Sequence, residues 1–225
     1  MRVFTFLQPG VITEIYKHDG DLLKKGDVIA KINGSTRALL KGERTALNLL
    51  QHLSGIATAT HQAVLLTSGT KAGITDTRKT LPGLRPLQKY AVVTGGGKNH
   101  RYNLSDAAML KDNHIDAAGG IANAVETLKG KLGHMVKIEV EVRTLEELQQ
   151  ALQAGADIIM LDNMSPQTMA QAVKITNGQA LLEASGGITQ QTLREIAQTG
   201  VDIISIGALT HSVHALDISM KITAP

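Results

Sequence analysis

Residues 137–209 read KIEVEVRTLEELQQALQAGADIIMLDNMSPQTMAQAVKITNGQALLEASGGITQQTLREIAQTGVDIISIGAL. Four short apolar runs stand out, at Lys137–Val142, Ile158–Leu161, Ala180–Glu183 and Ile203–Ile206. Helical periodicity follows each one, over Leu145–Ala154, Gln167–Ile175, Gln190–Gln198 and a short last segment. Run centres at Glu139, Ile158, Leu181 and Ile203 are 19, 23 and 22 residues apart. Repeated βα units of this length build a parallel sheet. Each run ends in a small or polar residue: Glu141, Asp162, Ser185-Gly186-Gly187 and Gly207. In a βα barrel such ends converge on one mouth, and the last two loops commonly cradle phosphate. Glycines there let backbone N–H groups approach an anion. Counting units of this size after position 70 predicts an α/β fold, an incomplete TIM-like barrel of about seven strands, with the open doubly wound sheet as its competitor.

Working outward, residues 1–42 form short apolar runs (Val3–Leu7, Val11–Tyr16, Val28–Ile32) separated by turn signals such as Lys25-Gly26-Asp27 and Asn33-Gly34. They read as a small β-rich N-terminal domain. From residue 43 to about 70 the period changes. Ala46, Leu50, Leu53, Ala57 and Val64 make a helical stripe, widened by Leu47, Leu49 and Ile56, so a linking helix buried on more than one face is expected. Ser54-Gly55 within it suits a kink or a close approach. Residues 71–225 then hold the barrel.

Composition narrows the function. The 225 residues are 43% hydrophobic and 19% charged, enough to build a core and too apolar for disorder. Five aromatics (Phe4, Phe6, Tyr16, Tyr90, Tyr102) argue against base-stacking platforms, and no nucleic-acid partner is expected. The absence of cysteine excludes disulfides and thiolate chemistry. No apolar run reaches the ~18 residues of a membrane span. Without a signal-peptide pattern either, a cytoplasmic protein is expected. Net charge is +3, yet residues 71–111 hold eight basic and two acidic residues, a local excess of +6. That excess points to a polyanionic small molecule.

The chemistry-bearing residues lie at the predicted run ends. Asp76-Thr77-Arg78-Lys79-Thr80 follows a run at Ala72–Thr75. Arginine grips carboxylate or phosphate with two prongs and lysine supplies a point charge. Lys98-Asn99-His100-Arg101 follows the triple glycine Gly95–Gly97, which reads as part of the same anion site. Lys111 ends the run Ala107–Leu110 and should face the same mouth; Asp112 and His114 read as hydrogen-bonding scaffold rather than zinc ligands. Glu141 and Asp162 are the candidate carboxylates, suited to Mg²⁺ held jointly with substrate phosphates or to a developing positive charge. Glu139 shares the parity of Glu141, and position along the strand favours Glu141.

These residues resemble one family. Glu43-Arg44-Thr45-Ala46-Leu47-Asn48, Leu53-Ser54-Gly55-Ile56-Ala57-Thr58 and Asp76-Thr77-Arg78-Lys79-Thr80-Leu81-Pro82-Gly83 are similar to motifs of the quinolinate phosphoribosyltransferases. Asn99-His100-Arg101, Lys111-Asp112-Asn113-His114, Glu139-Val140-Glu141, Leu161-Asp162-Asn163, Ser185-Gly186-Gly187 and Gly207–Ser212 continue the likeness over essentially the whole chain. A molybdenum-transport-associated relative shares much of the pattern but lacks the Lys-Asp-Asn-His motif. The resemblance implies that quinolinate and phosphoribosyl pyrophosphate give nicotinate mononucleotide, pyrophosphate and CO₂, with Mg²⁺. It places the quinolinate carboxylates on Arg78, His100, Arg101 and Lys111, joined by Arg44 from the second subunit of a homodimer. Lys79, Glu141, Asp162, Ser185, Gly186, Gly187, Gly207 and His211 would line the phosphoribosyl side, and Lys79, Lys111, Glu141 and Asp162 would be catalytic. Family members carry several tens of residues ahead of this start, so a truncation leaving an uncovered sheet edge is expected. Two other readings compete: an inactive paralogue, and a lipoyl- or biotinyl-type carrier suggested by Asp19–Ile29 and Met220-Lys221-Ile222.

Overall fold

The computed structural model describes residues 2–223. Helix α1 (Arg2–Leu7) leads into a two-stranded antiparallel sheet, β1 (Ile12–Ile15) with β2 (Ala30–Asn33), and then into a long helix α2 (Thr36–Leu66). The expected strand at Val3–Leu7 is thus a helix. Phe4 is its buried residue and packs on α2 so closely that a side chain at Gly42 would meet the Phe4 ring at 2.8 Å. With β1 and β2 paired only to each other, Val3–Leu7 has no ladder to join, and it satisfies its backbone internally as a helical turn.

Helix α2 starts seven residues ahead of the expected period change, where Ser35 caps it by accepting the Ala38 N–H at 3.4 Å. It packs against α1, α3 (Arg85–Thr94), α8 (Gln190–Gln198) and α9 (Ala208–His211), so burial on several faces is borne out. The close approach at Gly55 is real. The His214 carbonyl passes where a Cβ would stand, 2.1 Å away. The chain then runs back along α2, with the Leu216 N–H donating to Gln51 O, and Met220 packs against the cluster of Phe4, Val11 and Leu39.

The remaining elements alternate. Strand β3 (Gly73–Thr75) precedes α3; β4 (Ala108–Leu110) precedes α4 (Asp112–Ala118) and α5 (Ile121–Lys129). Then come β5 (Ile138–Val142), α6 (Leu145–Gln153), β6 (Ile158–Asp162), α7 (Pro166–Thr176), β7 (Leu181–Ser185), α8, β8 (Ile203–Ser205) and α9. Six strands form one parallel sheet in the order β3-β8-β7-β6-β5-β4. The last strand returns to the first, which is the closure of a barrel; a doubly wound sheet would reverse its order midway. About seven strands were expected, and six form. The seventh position is held by Lys98, which makes a single parallel bridge to Thr75 on the open side of β3. Between Lys98 and β4 no pairing occurs among the described residues. There the Arg101 side chain donates to the Ala107 carbonyl at 2.8 Å, fastening the connecting segment beside β4.

The core is aliphatic, as composition required. Val140, Ile159, Leu161 and Ile204 are fully buried beneath the helices, with Leu148 and Leu193 facing them from α6 and α8. Ser165 and Thr189 cap α7 and α8, and Thr144 caps α6, so these three βα turns are each set by a local hydrogen bond.

Candidate active site

Parallel strands carry their C-terminal ends to one face, and the ends of β3 to β8 surround a cavity of about 540 Å³. Arg78, Lys79, His100, Arg101, Lys111, Glu141, Asp162, Ser185, Gly186, Gly187, Gly207 and His211 all line it. Arg44 does not. It lies exposed on α2, away from this cavity.

The cationic wall is built by loops rather than by strands. Arg85 clamps the segment after β3, donating to Thr80 Oγ1 at 3.0 Å and to the Arg78 carbonyl at 3.1 Å. Thr210 donates to the Lys79 carbonyl at 2.7 Å, tying this segment to α9. Arg101 lies beside Arg78 in a partly desolvated position, and both burial and that neighbour pull its pKa down from its usual value. A fixed pair of guanidinium groups in this setting gains most from an anion between them.

Beneath that wall, Lys89 of α3 and Asp76 after β3 form an ion pair of zero exposure. Asp76 accepts the His100 N–H at 2.9 Å, and Lys89 donates to the His100 carbonyl at 2.8 Å. Burial drives Lys89 down and Asp76 up, and each partner opposes the shift of the other. The Tyr102 ring covers the ammonium at 5.0 Å. Together the two side chains satisfy both polar groups of the His100 backbone.

At the floor, His100 Nε2 lies 3.3 Å from Glu139 Oε2 and 3.5 Å from Glu183 Oε1. Both carboxylates are nearly completely buried, and Oε1 of each has no hydrogen-bond partner. The three groups converge like metal ligands. The tautomer argues otherwise. His100 Nδ1 accepts the Arg101 N–H at 2.9 Å, so Nε2 carries the ring proton and has no lone pair for a cation. Burial disfavours charge on the ring, Glu139 and Glu183 more than offset it, and the pKa of His100 is raised. Glu183 is pushed up to about 7 by burial, then by Glu139, against the pull of His100 and the Ser205 hydroxyl. Of the two acids, Glu183 also lines the cavity.

Also lining the cavity, Lys111 Nζ stands 2.5 Å from Glu141 Oε2. His114 Nδ1 accepts the Lys111 N–H at 3.1 Å, so His114 is scaffold, as expected. Asp162 receives a hydrogen bond from the Asn163 amide at 3.1 Å. Gly186 has φ +92°, and a Cβ there would meet Asn163 Oδ1 at 2.2 Å, so only glycine serves. At Gly207 a Cβ would reach His211 Nε2 at 3.2 Å.

Gly95 and Gly97 correct the sequence reading. Their Cβ positions would collide with Ala57 O at 2.4 Å and Thr60 Cγ2 at 2.8 Å, so they let α3 press on α2 and lie away from the cavity. Sequence reasoning missed Lys89 and Glu183, and it set Glu139 aside in favour of Glu141. Glu183 left a signal, since it shares its parity with Ser185 two residues on. Lys89, inside an ordinary helical stretch, left none.

The comparisons agree along the chain. Residues 1–54 match the model of the quinolinate phosphoribosyl transferase N-terminal domain, and residues 56–221 that of the C-terminal domain. A probable nicotinate-nucleotide pyrophosphorylase [carboxylating] of Bacillus subtilis (strain 168) is 52% identical over 220 residues, covering 98% of this chain and 76% of that protein. The crystal structure of NadC from Streptococcus pyogenes superposes with a TM-score of 0.94 at 46% identity, covering 98% of this chain and 78% of that one. The nicotinate-nucleotide pyrophosphorylase of Ehrlichia chaffeensis gives a TM-score of 0.93 at 43% identity, covering 97% and 79%. The carrier reading finds no support, since Lys221 follows the barrel in an irregular segment rather than on a hairpin tip. With two domain models in tandem over nearly the whole chain and a relative 52% identical, the chain belongs to the quinolinate phosphoribosyltransferase family.

Proposed function

We propose that this cavity joins quinolinate to phosphoribosyl pyrophosphate, releasing pyrophosphate and CO₂ to leave nicotinate mononucleotide. One observation carries the reading. Arg78, Lys79, Arg101 and Lys111 share a cavity with three carboxyl groups, Glu141, Asp162 and Glu183, and two glycine turns, so cations for two anionic reactants meet acids for a developing sugar cation. A volume of about 540 Å³ is within the range of small-ligand sites.

The division of labour is the one that the family resemblance implies, and the shared lining is compatible with it. Arg78, His100, Arg101 and Lys111 sit together and would hold the quinolinate carboxylates. Ser185, Gly186, Gly187, Gly207 and His211 border the other side and would receive phosphate. As pyrophosphate leaves, positive charge grows on the ribose, and Glu141 and Asp162 face it from fixed positions. Lys79 neutralises the departing phosphates. Holding the ring nitrogen and the sugar carbon in line removes most of the entropic barrier. Once the ring nitrogen is alkylated, its positive charge draws in the electron pair left by CO₂.

Mg²⁺ suits this oxygen-donor setting. Glu141 is engaged by Lys111, whereas Asp162 accepts one side-chain hydrogen bond among the described residues and keeps oxygen free for a hard cation. Asp162 would hold the ion together with substrate phosphates, where it would offset the charge of the leaving pyrophosphate. Arg44, exposed on α2, would reach the cavity of a second copy in a homodimer with shared sites.

The test is direct. The protein is mixed with quinolinate and phosphoribosyl pyrophosphate, with and without Mg²⁺, and nicotinate mononucleotide and CO₂ are followed. Magnesium-dependent formation of both in equal amounts is expected, and their absence overturns the reading.

A further inference from the structure

Resting on that reading, we propose that Glu183 is the acid that returns a proton to pyridine C2 after CO₂ departs. The reaction needs such a group. Breaking the C2–carboxylate bond leaves its electron pair on C2, and nicotinate mononucleotide carries hydrogen there. The Glu183 O–H bond breaks, the C2–H bond forms, and the carboxylate regains its proton from solvent through the cavity.

The geometry singles out this residue. Two carboxyl groups, Glu139 from β5 and Glu183 from β7, meet the imidazole of His100 from the segment after α3, with the Ser205 hydroxyl approaching from β8. Two full negative charges buried side by side against one imidazole are untenable, so the cluster retains a proton. Glu139 faces the interior, while Glu183 lines the cavity that His100, Arg101 and Lys111 share. Glu183 Oε1 makes no hydrogen bond within the protein and lies 3.5 Å from His100 Nε2, so no protein acceptor holds a proton on this carboxyl group. A titration near 7 also matches a donor that must be protonated and yet give its proton up at neutral pH. Arginine and lysine on the same wall hold their protons too tightly, and His100 spends its Nε2 proton on the carboxylates.

Glu183→Gln is the informative variant, because glutamine copies the shape and charge of the protonated acid but has no proton to give. With both substrates, kcat should fall ~100-fold or more, the scale of general-acid catalysis. KM for both substrates should stay within about threefold of wild type, because no charge facing either anion has changed. The fall of kcat above about pH 7 should also vanish from the residual activity. Ser205→Ala retains the acid but removes a group that favours its carboxylate form, so that limb should move to higher pH. A Glu183→Gln enzyme with near-wild-type kcat and an unaltered pH profile overturns the assignment, as does a loss confined to KM for quinolinate. If Glu183→Gln does not fold, an unmoved limb in Ser205→Ala overturns it instead. A wild-type protein that makes no nicotinate mononucleotide overturns the functional reading beneath it, and the two failures are therefore told apart.

Discussion

Lys89 and Asp76 form an ion pair without solvent exposure, and each also holds one polar group of the His100 backbone. Removing one partner leaves a charge stranded in the interior, which is far worse than lacking the pair altogether. Lys89→Met should therefore destabilise by ~3–5 kcal/mol in urea denaturation. Lys89→Met combined with Asp76→Asn should recover a large part of that loss. Equal losses in the single and double variants would mean that the pair acts through His100 alone.

Arg101 both faces the cavity and fastens Ala107 beside β4. Arg101→Ala should raise KM for quinolinate at least tenfold, the equivalent of about 1.4 kcal/mol, while KM for phosphoribosyl pyrophosphate changes little. Steady-state kinetics with each substrate varied in turn decides this. A parallel rise in both constants would show that the cavity is not divided as described.

Gly186→Ala places a methyl group on Asn163 at a backbone angle that alanine resists. The turn must shift, at a cost of about 1–3 kcal/mol. Phosphoribosyl pyrophosphate should bind tenfold or more weakly, and quinolinate much less so. Isothermal titration of each substrate separately would reveal the asymmetry.

Stability should fall as pH rises from about 4.5 to 7. The native state keeps Glu183 protonated up to about 7, whereas the unfolded chain releases that proton near 4.5, so the folded protein binds more protons across this window. The raised pKa of His100 acts in the same sense at its upper end. The Glu183 contribution is at most ~3 kcal/mol, reached at about pH 7 and constant above it. Chemical denaturation at pH 5 and pH 8 should show the fall in wild type and a smaller one in Glu183→Gln.

Arg44 offers a test of shared sites. Arg44→Ala and Lys79→Ala subunits should each be impaired alone, yet regain up to about a quarter of wild-type activity when mixed and allowed to exchange, because one site in four then has both residues intact. No recovery would assign Arg44 to its own subunit or to neither site.

The barrel was legible because strand and helix periods repeat with polar residues at every strand end, and one geometric rule sends those ends to one face. The same rule placed Glu141, Asp162 and Ser185 at the mouth. Val3–Leu7 misled because its β-branched and aromatic residues favour a strand only where a neighbouring strand exists, and pairing is a tertiary fact. Ser35 was available as a cap, but the turn signal at Asn33-Gly34 masked it. Gly95 and Gly97 looked like an anion loop, since glycine serves close packing and ligand approach equally well. Lys89 could not be foreseen, because a buried lysine in a helix is written like a surface one.

Met220 lies against Phe4, Val11 and Leu39, and it is translated only after every strand of the barrel. A hydrophobic cluster begun ahead of the barrel is thus finished only behind it. Until Met220 is made, a nascent chain carries Phe4 and Leu39 partly uncovered, so this cluster stays exposed to aggregation for longer than the sheet of the barrel does.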